Sequence, residues 1–157
     1  MLKTGDKCPK IKGLIAENSF ITNSDLKGQD FILYFYPKDN TSGCTKEACE
    51  FNENISVFNS LNIKVIGVSP DSLKSHTNFK EKYNLNFDLI SDPENEISKS
   101  FFAYGEKSMY GRKYMGIIRS TFLIDKKGII REVWYKVKVN GHVDNVKKAI
   151  NELNIKN

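Results

Sequence analysis

The run Phe31-Ile32-Leu33-Tyr34-Phe35-Tyr36 constrains the fold more than any other stretch of the chain. It is the longest apolar run and far too short for a membrane span, which needs about 20 residues. A short apolar and aromatic run of this kind reads as a buried strand. Pro37 ends it, because proline cannot donate to a strand ladder. A polar loop follows, and a helical pattern starts at about Gly43. Its apolar residues Ala48, Phe51, Ile55 and Phe58 recur at spacings of three or four. The strand therefore runs through a loop into a helix. Open α/β sheets place their sites at such junctions, beyond the carboxyl end of a strand.

The remaining pattern supplies the sheet around that strand. Residues 63–68 read as a second core strand. Ser69-Pro70 predicts a helix start, with Ser69 as N-cap, Pro70 at the first position and Leu73, His76, Phe79 and Tyr83 facing inward. Residues 87–90 form a short strand and 94–102 a short helix. A loop rich in Gly and Tyr spans 104–116. Residues 119–124 and 129–135 predict a hairpin around Asp125-Lys126-Lys127-Gly128. A last helix carries Val143, Val146, Ala149, Ile150 and Leu153 on one side. The βαβ units argue for an α/β fold with a central β-sheet, and the hairpin makes that sheet mixed, with helices on both faces. No repeat or linker divides the chain, and its 157 residues suit a single domain, 1–157.

Charge and cysteine usage narrow the function classes. The net charge is +5, but lysines alternate with acids and build no basic arm, which argues for a solvated surface and no nucleic-acid partner. Nothing near Met1 resembles a secretory signal, so the expectation is a cytoplasmic protein with no membrane contact. Three cysteines do not make a disulfide scaffold. Two of them five apart, with no second pair and two scattered histidines, miss the usual zinc spacings, so neither metal nor cofactor is expected. A thiol–disulfide oxidoreductase would carry Cys-x-x-Cys, and this chain has Cys-x4-Cys.

Cys44 and Cys49 lie at the junction. With Thr41 or Ser42 as N-cap, Cys44 falls in the first helical turn, where unpaired N–H groups and the positive end of the helix dipole favour a thiolate. Such settings lower a cysteine pKa from about 8.5, and the thiolate is the nucleophile. Cys44 shares the inward face with Ala48, Phe51 and Ile55. Cys49 is rotated by about 140° onto a polar side with Thr45, Asn52, Glu53 and Ser56. Five residues of helix separate the two Cα atoms by about 8.6 Å, beyond the limit of about 7 Å for a disulfide. A bond between them requires the first turns to unwind. Arg119 begins the apolar strand 120–124. If that strand lies beside 31–36, Arg119 comes under Cys44, where a guanidinium would hold a thiolate and polarise an oxygen. Glu47 reads as a favourable first-turn charge, His76 as a packed core residue, His142 as a cap-region or surface residue, and Cys8 as inert.

Pro37-x-x-x-Thr41-x-x-Cys44 resembles the active-site signature of peroxiredoxins. The step of five to Cys49 is similar to the bacterioferritin comigratory protein, or peroxiredoxin Q, subfamily. So are Tyr34-Phe35-Tyr36-Pro37-Lys38, Gly43-Cys44-Thr45-Lys46-Glu47-Ala48-Cys49, Gly105-Glu106-Lys107-Ser108-Met109-Tyr110-Gly111 and Arg119-Ser120-Thr121-Phe122-Leu123-Ile124-Asp125. Asn40 and Ser42 depart from the subfamily's usual Asp and Pro, and Cys8 from a small residue. The resemblance implies a thioredoxin-like fold and a thiol peroxidase. Cys44 would attack hydrogen peroxide or an organic hydroperoxide and become a sulfenic acid. Cys49 would condense with it, and thioredoxin or a similar dithiol reductant would reopen the disulfide. Thr41, the Cys44 N–H and Arg119 would hold the peroxide, and Pro37 would shield the sulfenate. The subfamily leans to monomers. The rival that shares these residues is a non-enzymatic peroxide sensor passing oxidation to a partner protein, which only turnover with a reductant separates from the enzyme.

Overall fold

The computed structural model describes residues 1–153, so the last four residues of the expected domain 1–157 lie outside it. The chain opens with an antiparallel hairpin, β1 (Lys12–Ala16) and β2 (Ser19–Thr22), and a single helical turn α1 (Asn23–Leu26). The expected junction follows as β3 (Asp30–Phe35) and α2 (Ser42–Glu53). Then come α3 (Ile55–Ser60), β4 (Ile63–Ser69), α4 (Leu73–Tyr83), β5 (Asp88–Ser91), α5 (Glu96–Ser100), β6 (Tyr104–Met109), β7 (Arg112–Ile117), β8 (Ser120–Ile124), β9 (Ile130–Trp134) and α6 (His142–Glu152).

Seven strands form one sheet in the order β2-β1-β5-β4-β3-β8-β9. β3, β4 and β5 are parallel neighbours, while β8 pairs antiparallel with β3 and with β9, so the sheet is mixed as expected. β3 sits inside it and is buried at every position. Successive side chains of a strand point to opposite faces. Ile32, Tyr34 and Tyr36 enter one core with Phe51, Phe58, Phe79 and Val146 from α2, α3, α4 and α6. Phe31, Leu33 and Phe35 enter the other with Leu26, Ile97 and Phe101. Six large side chains removed from water, at roughly 1.5–3 kcal/mol each, make β3 the rigid floor of the junction. Gly67 lies opposite Tyr34 on β4, and a Cβ there would fall 2.8 Å from Leu89 and 3.0 Å from the Tyr34 ring. Glycine is what lets that ring lie flat under α2.

Four local expectations need correction. The helix after β4 starts at Leu73 with Ser72, not Ser69, as its N-cap; the Ser72 side chain accepts from the Ser75 amide. Ser69 still belongs to β4, and its hydroxyl donates to Asp71. The 104–116 segment is a regular hairpin, β6 against β7, and not a loop. The helical pattern from 43 to 58 is two helices broken at Asn54. His142 does lie in the cap region, as the first residue of α6, but it is buried and hydrogen-bonded to Thr121 Oγ1 (2.8 Å), so the surface alternative falls. Among the described residues no helix is long and apolar enough to cross a membrane.

Candidate active site

The loop between β3 and α2, together with α2 itself, carries every candidate residue except Arg119. Pro37 is half-buried at the strand end. Thr41 is the N-cap of α2, with extended φ and ψ, but its hydroxyl donates to the Lys38 carbonyl (2.9 Å) and leaves its lone pairs as acceptors. Cys44 is the third residue of α2 and only 1% exposed. Both departures in this loop have a backbone reason. Asn40 has φ +61°, a left-handed value that Asn and Asp tolerate best among side-chain-bearing residues. Ser42 occupies the first helical position, which proline favours but does not require.

Arg119 arrives from the other side of the sheet's central pair. β8 runs antiparallel to β3 with Ser120 opposite Phe35, so the residue before Ser120 lies at the carboxyl end of β3. Arg119 Nη2 is 3.3 Å from Cys44 Sγ, and Nη1 is 2.6 Å from Glu47 Oε1. The expected approach of Arg119 to Cys44 is thus present in the geometry. One guanidinium faces both the sulfur and a fully buried carboxylate. Burial raises the Glu47 pKa to about 7, against the lowering pull of Arg119. Burial works against the Arg119 charge, and Glu47 and Cys44 restore it, raising its pKa. The cation therefore stays fixed and aimed at the sulfur.

Two neighbours escaped the sequence reading. Glu47, read as a favourable first-turn charge, lies in the second turn of α2 and is 0% exposed. The signal was available: Glu47 follows Cys44 by three residues and so shares its inward face. Lys107, on β6, is half-buried, and burial together with Arg119 lowers its pKa while Cys44 raises it. The β6–β7 hairpin thus leans its basic edge toward the Cys44 mouth. Nothing in residues 104–116 signals this, because contact with the site depends on how the hairpin folds back.

Cys49 lies on the same unbroken helix as Cys44, half-exposed, and both thiols are free. Burial and Glu53 raise its pKa. Cys8 stands apart with its Sγ 3.3 Å from the Pro9 carbonyl, and burial pushes its pKa up to about 12, so it carries essentially no thiolate near neutral pH. Burial, then Arg119, lowers the His142 pKa to about 4, which keeps that ring neutral.

The model of the AhpC/TSA family matches residues 4–133. A putative peroxiredoxin bcp of Coxiella burnetii is 47% identical over 145 residues, covering 92% of this chain and 96% of the relative. Peroxiredoxin Bcp of Bacillus subtilis is 43% identical over 155 residues, covering 99% of each. Among solved structures, a cysteine mutant of PrxQ from Xylella fastidiosa superposes with a TM-score of 0.91 at 38% identity over 98% of both chains. The bacterioferritin comigratory protein of Xanthomonas campestris, studied for its alkyl peroxide reduction activity, gives 0.81 at 41% identity over 85% of both. The mixed sheet flanked by helices is accordingly a thioredoxin-like fold, and the chain belongs to the AhpC/TSA family as a thiol-dependent peroxidase of the peroxiredoxin Bcp/PrxQ type.

Proposed function

We propose that Cys44 is the peroxidatic nucleophile and that Arg119 is its electrostatic partner. The observation that carries this is the 3.3 Å contact between Arg119 Nη2 and Cys44 Sγ at the start of α2. The thiolate attacks one oxygen of hydrogen peroxide or an alkyl hydroperoxide, the O–O bond breaks, and water or alcohol leaves with a proton. Cys44 is then a sulfenic acid. The Arg119 guanidinium and the Cys44 amide hold the oxygens as charge shifts from sulfur to the leaving group. Thr41, whose hydroxyl proton is committed to Lys38, accepts the peroxide's own hydrogen. Pro37 covers the sulfur from the loop side.

Cys49 resolves the sulfenic acid: its sulfur displaces the hydroxyl as water and forms the Cys44–Cys49 disulfide. Both residues lie within α2, about 8.6 Å apart along an ideal helix, so closure unwinds the segment from about Gly43 to Cys49. A dithiol reductant of the thioredoxin type then attacks the bond by exchange. Half-exposed Cys49 is the sulfur such a partner reaches first. The protein works as a cytoplasmic monomer, a single domain whose described sheet buries both faces.

Peroxide consumption by wild type and Cys44→Ser, with thioredoxin and its reductase present, tests this reading. Turnover by wild type and loss of it in the variant are expected. Turnover retained by Cys44→Ser overturns it. One equivalent consumed without turnover by wild type would favour the sensor.

A further inference from the structure

The polar residues behind the active-site loop form a network that the peroxidase chemistry does not use. Asp39 lies in that loop, between Pro37 and Thr41, and is 6% exposed. Its carboxylate accepts from three side chains: Tyr36 Oη at 2.5 Å, Ser75 Oγ at 2.8 Å and His76 Nδ1 at 2.7 Å. Its backbone N–H donates to Asp71 Oδ2 (2.7 Å), which also accepts from Ser69 Oγ (2.7 Å). The other ring nitrogen of His76, Nε2, lies 3.0 Å from the Ile90 carbonyl oxygen. A carbonyl only accepts and an ionised carboxylate only accepts. His76 therefore ties the loop to β5, its two ring nitrogens lying between the Asp39 carboxylate and the Ile90 carbonyl. Burial works to raise the Asp39 pKa, but the hydrogen bonds and charge gathered on it hold it below its ordinary value, which keeps the carboxylate ionised. The pair is 3% exposed on each side.

Asp39, Asp71 and His76 also bring their donor atoms within 4.8 Å of one another, a spacing open to a metal ion. Their atoms are already occupied by one another and by Tyr36, Ser75 and Ser69, so the arrangement reads as a hydrogen-bonded clamp. Neighbouring Asn40 adds two more ties, accepting from Lys82 Nζ (3.2 Å) and Tyr83 Oη (3.1 Å) on α4. Among the described residues, the side-chain ties from α2 to other elements fall into two groups. Up to Cys49, Cys44 and Glu47 both lean on Arg119. Beyond it, Asn52 bonds to Asn84 and Asn86. The loop is thus pinned by its own network, independently of the helix that follows.

We propose that Asp39 and His76 form a buried hydrogen-bonded clamp that holds the Pro37–Thr41 loop in its peroxide-binding shape while the first turns of α2 unwind and rewind. They are positioning residues, acting through Pro37 and Thr41. The inference rests on the Cys44–Cys49 cycle for its second half only. The clamp sets the amino-terminal edge of the moving segment, between Thr41 and Gly43, and gives the reduced helix a fixed cap on which to re-form.

Three measurements on the full-length chain test it. In reduced wild type, NMR of the His76 ring should show a slowly exchanging Nδ1–H held on Asp39; a ring proton that exchanges as fast as an exposed imidazole's overturns the pairing. Sulfenic acid formation, followed by stopped flow in a Cys49→Ser background, should slow by roughly 10- to 100-fold in Asp39→Asn, which keeps the volume but removes the charge and replaces an acceptor by a donor. An unchanged rate overturns the positioning role. In disulfide-bonded wild type, the Asp39 amide should stay protected while residues 43–49 exchange fast; equal loss at Asp39 overturns the hinge. If Asp39→Asn does not fold, Ser75→Ala removes one donor at a half-buried position. It should speed Asp39 exchange without changing Leu33 in β3, and no change at Asp39 counts against the clamp. Peptide mapping of the oxidised sample keeps the two readings apart. A missing Cys44–Cys49 bond is a failure of the proposed cycle, while the ring proton and the Asp39→Asn rate still decide the clamp.

Discussion

Replacing Arg119 by alanine removes two interactions with opposite consequences, and their separation tests the site. Nη2 at 3.3 Å from Cys44 is the proposed catalytic contact, and Nη1 at 2.6 Å from Glu47 is the structural one. Loss of a preorganised donor at a site of shifting charge slows reaction by about 10²–10³, or about 2.7–4 kcal/mol. The peroxide step of Arg119→Ala should fall by that much in stopped flow with saturating reductant. Stability has a different fate. Stripping one partner from a buried pair typically costs about 3–5 kcal/mol when the remaining charge stays charged. Glu47 has a way out: its pKa is already about 7, and without Arg119 only burial and Glu50 act on it, both upward. The side chain takes a proton instead. The destabilisation of Arg119→Ala should therefore be small at pH 5 and grow as pH rises. Arg119→Ala/Glu47→Gln should recover stability at pH 8 and recover none of the rate. An Arg119→Ala protein with wild-type peroxide kinetics would refute the assignment, and a double variant as unstable as the single one at pH 8 would refute the Glu47 account.

Three further outcomes follow from the same geometry. Cys44→Ser should abolish peroxidase turnover, whereas Cys49→Ser should stop after one equivalent of peroxide with a sulfenic acid detectable by dimedone and mass spectrometry. For Glu47 the sign is set by a folded pKa of about 7 above its ordinary 4.5. Its burial is best tolerated below pH 4.5, and stability is lost as pH rises through 7. The 2.5-unit window is worth roughly 3 kcal/mol. Chemical denaturation should thus show Glu47→Gln gaining on wild type from pH 4.5 to 7 and no further above, and a pH-independent gap would sink the idea. Finally, oxidised wild type should exchange amides faster than reduced protein over residues 43–50 and lose far-UV helix signal, with Cys49→Ser showing neither change.

What was legible in the sequence follows from how strongly each segment's own chemistry decides its structure. β3 was readable because six apolar residues have no other stable fate, and α2 because its apolar spacing survives a polar exterior. Arg119 was readable only jointly, through the pairing of its strand with β3. The β6–β7 hairpin was missed because much of its surface is solvated and its strands show little alternation. Its turn, Tyr110-Gly111, has positive φ at both residues, 52° and 79°, yet lacks the Asn-Gly text that announces such turns. The β1–β2 hairpin was lost the same way, turning at Asn18 with φ 57°. Ser69 misled because Ser-Pro resembles a cap and first turn; the chain instead spends Ser69 on Asp71 and caps with Ser72. Asp39 went unread, and the partner of Glu47 unnamed, for a deeper reason. A carboxylate's burial is decided by partners 72 and 37 residues away in sequence, Arg119 and His76, and no local pattern reports them.

In the proposed Cys44–Cys49 cycle, the position of the two cysteines makes the helix itself the moving part. In α2 the residues before Phe51 that are buried are Cys44, Glu47 and Ala48. Unwinding through Cys49 exposes one methyl and one thiol side chain, roughly 2 kcal/mol of apolar burial at about 0.8 kcal/mol per methylene-sized group and more for sulfur. Glu47 returns to water, where its carboxylate regains the solvation that burial denied it, and this offsets part of the loss. Continuing past Phe51 would cost far more, because that ring is fully buried and stacks on Tyr34 with centroids 4.7 Å apart. The cost of opening thus steps up sharply at one residue. On the other side, Asp39 and Asn40 tie the loop to α4. The sequence between these two anchors is polar and short, and Arg119 ties it through both Cys44 and Glu47. Oxidation of the Cys44 sulfur in the proposed cycle therefore alters one of the two contacts by which Arg119 holds these turns, and the Glu47 contact and the helix's own backbone bonds are what remains to be broken on the way to Cys49.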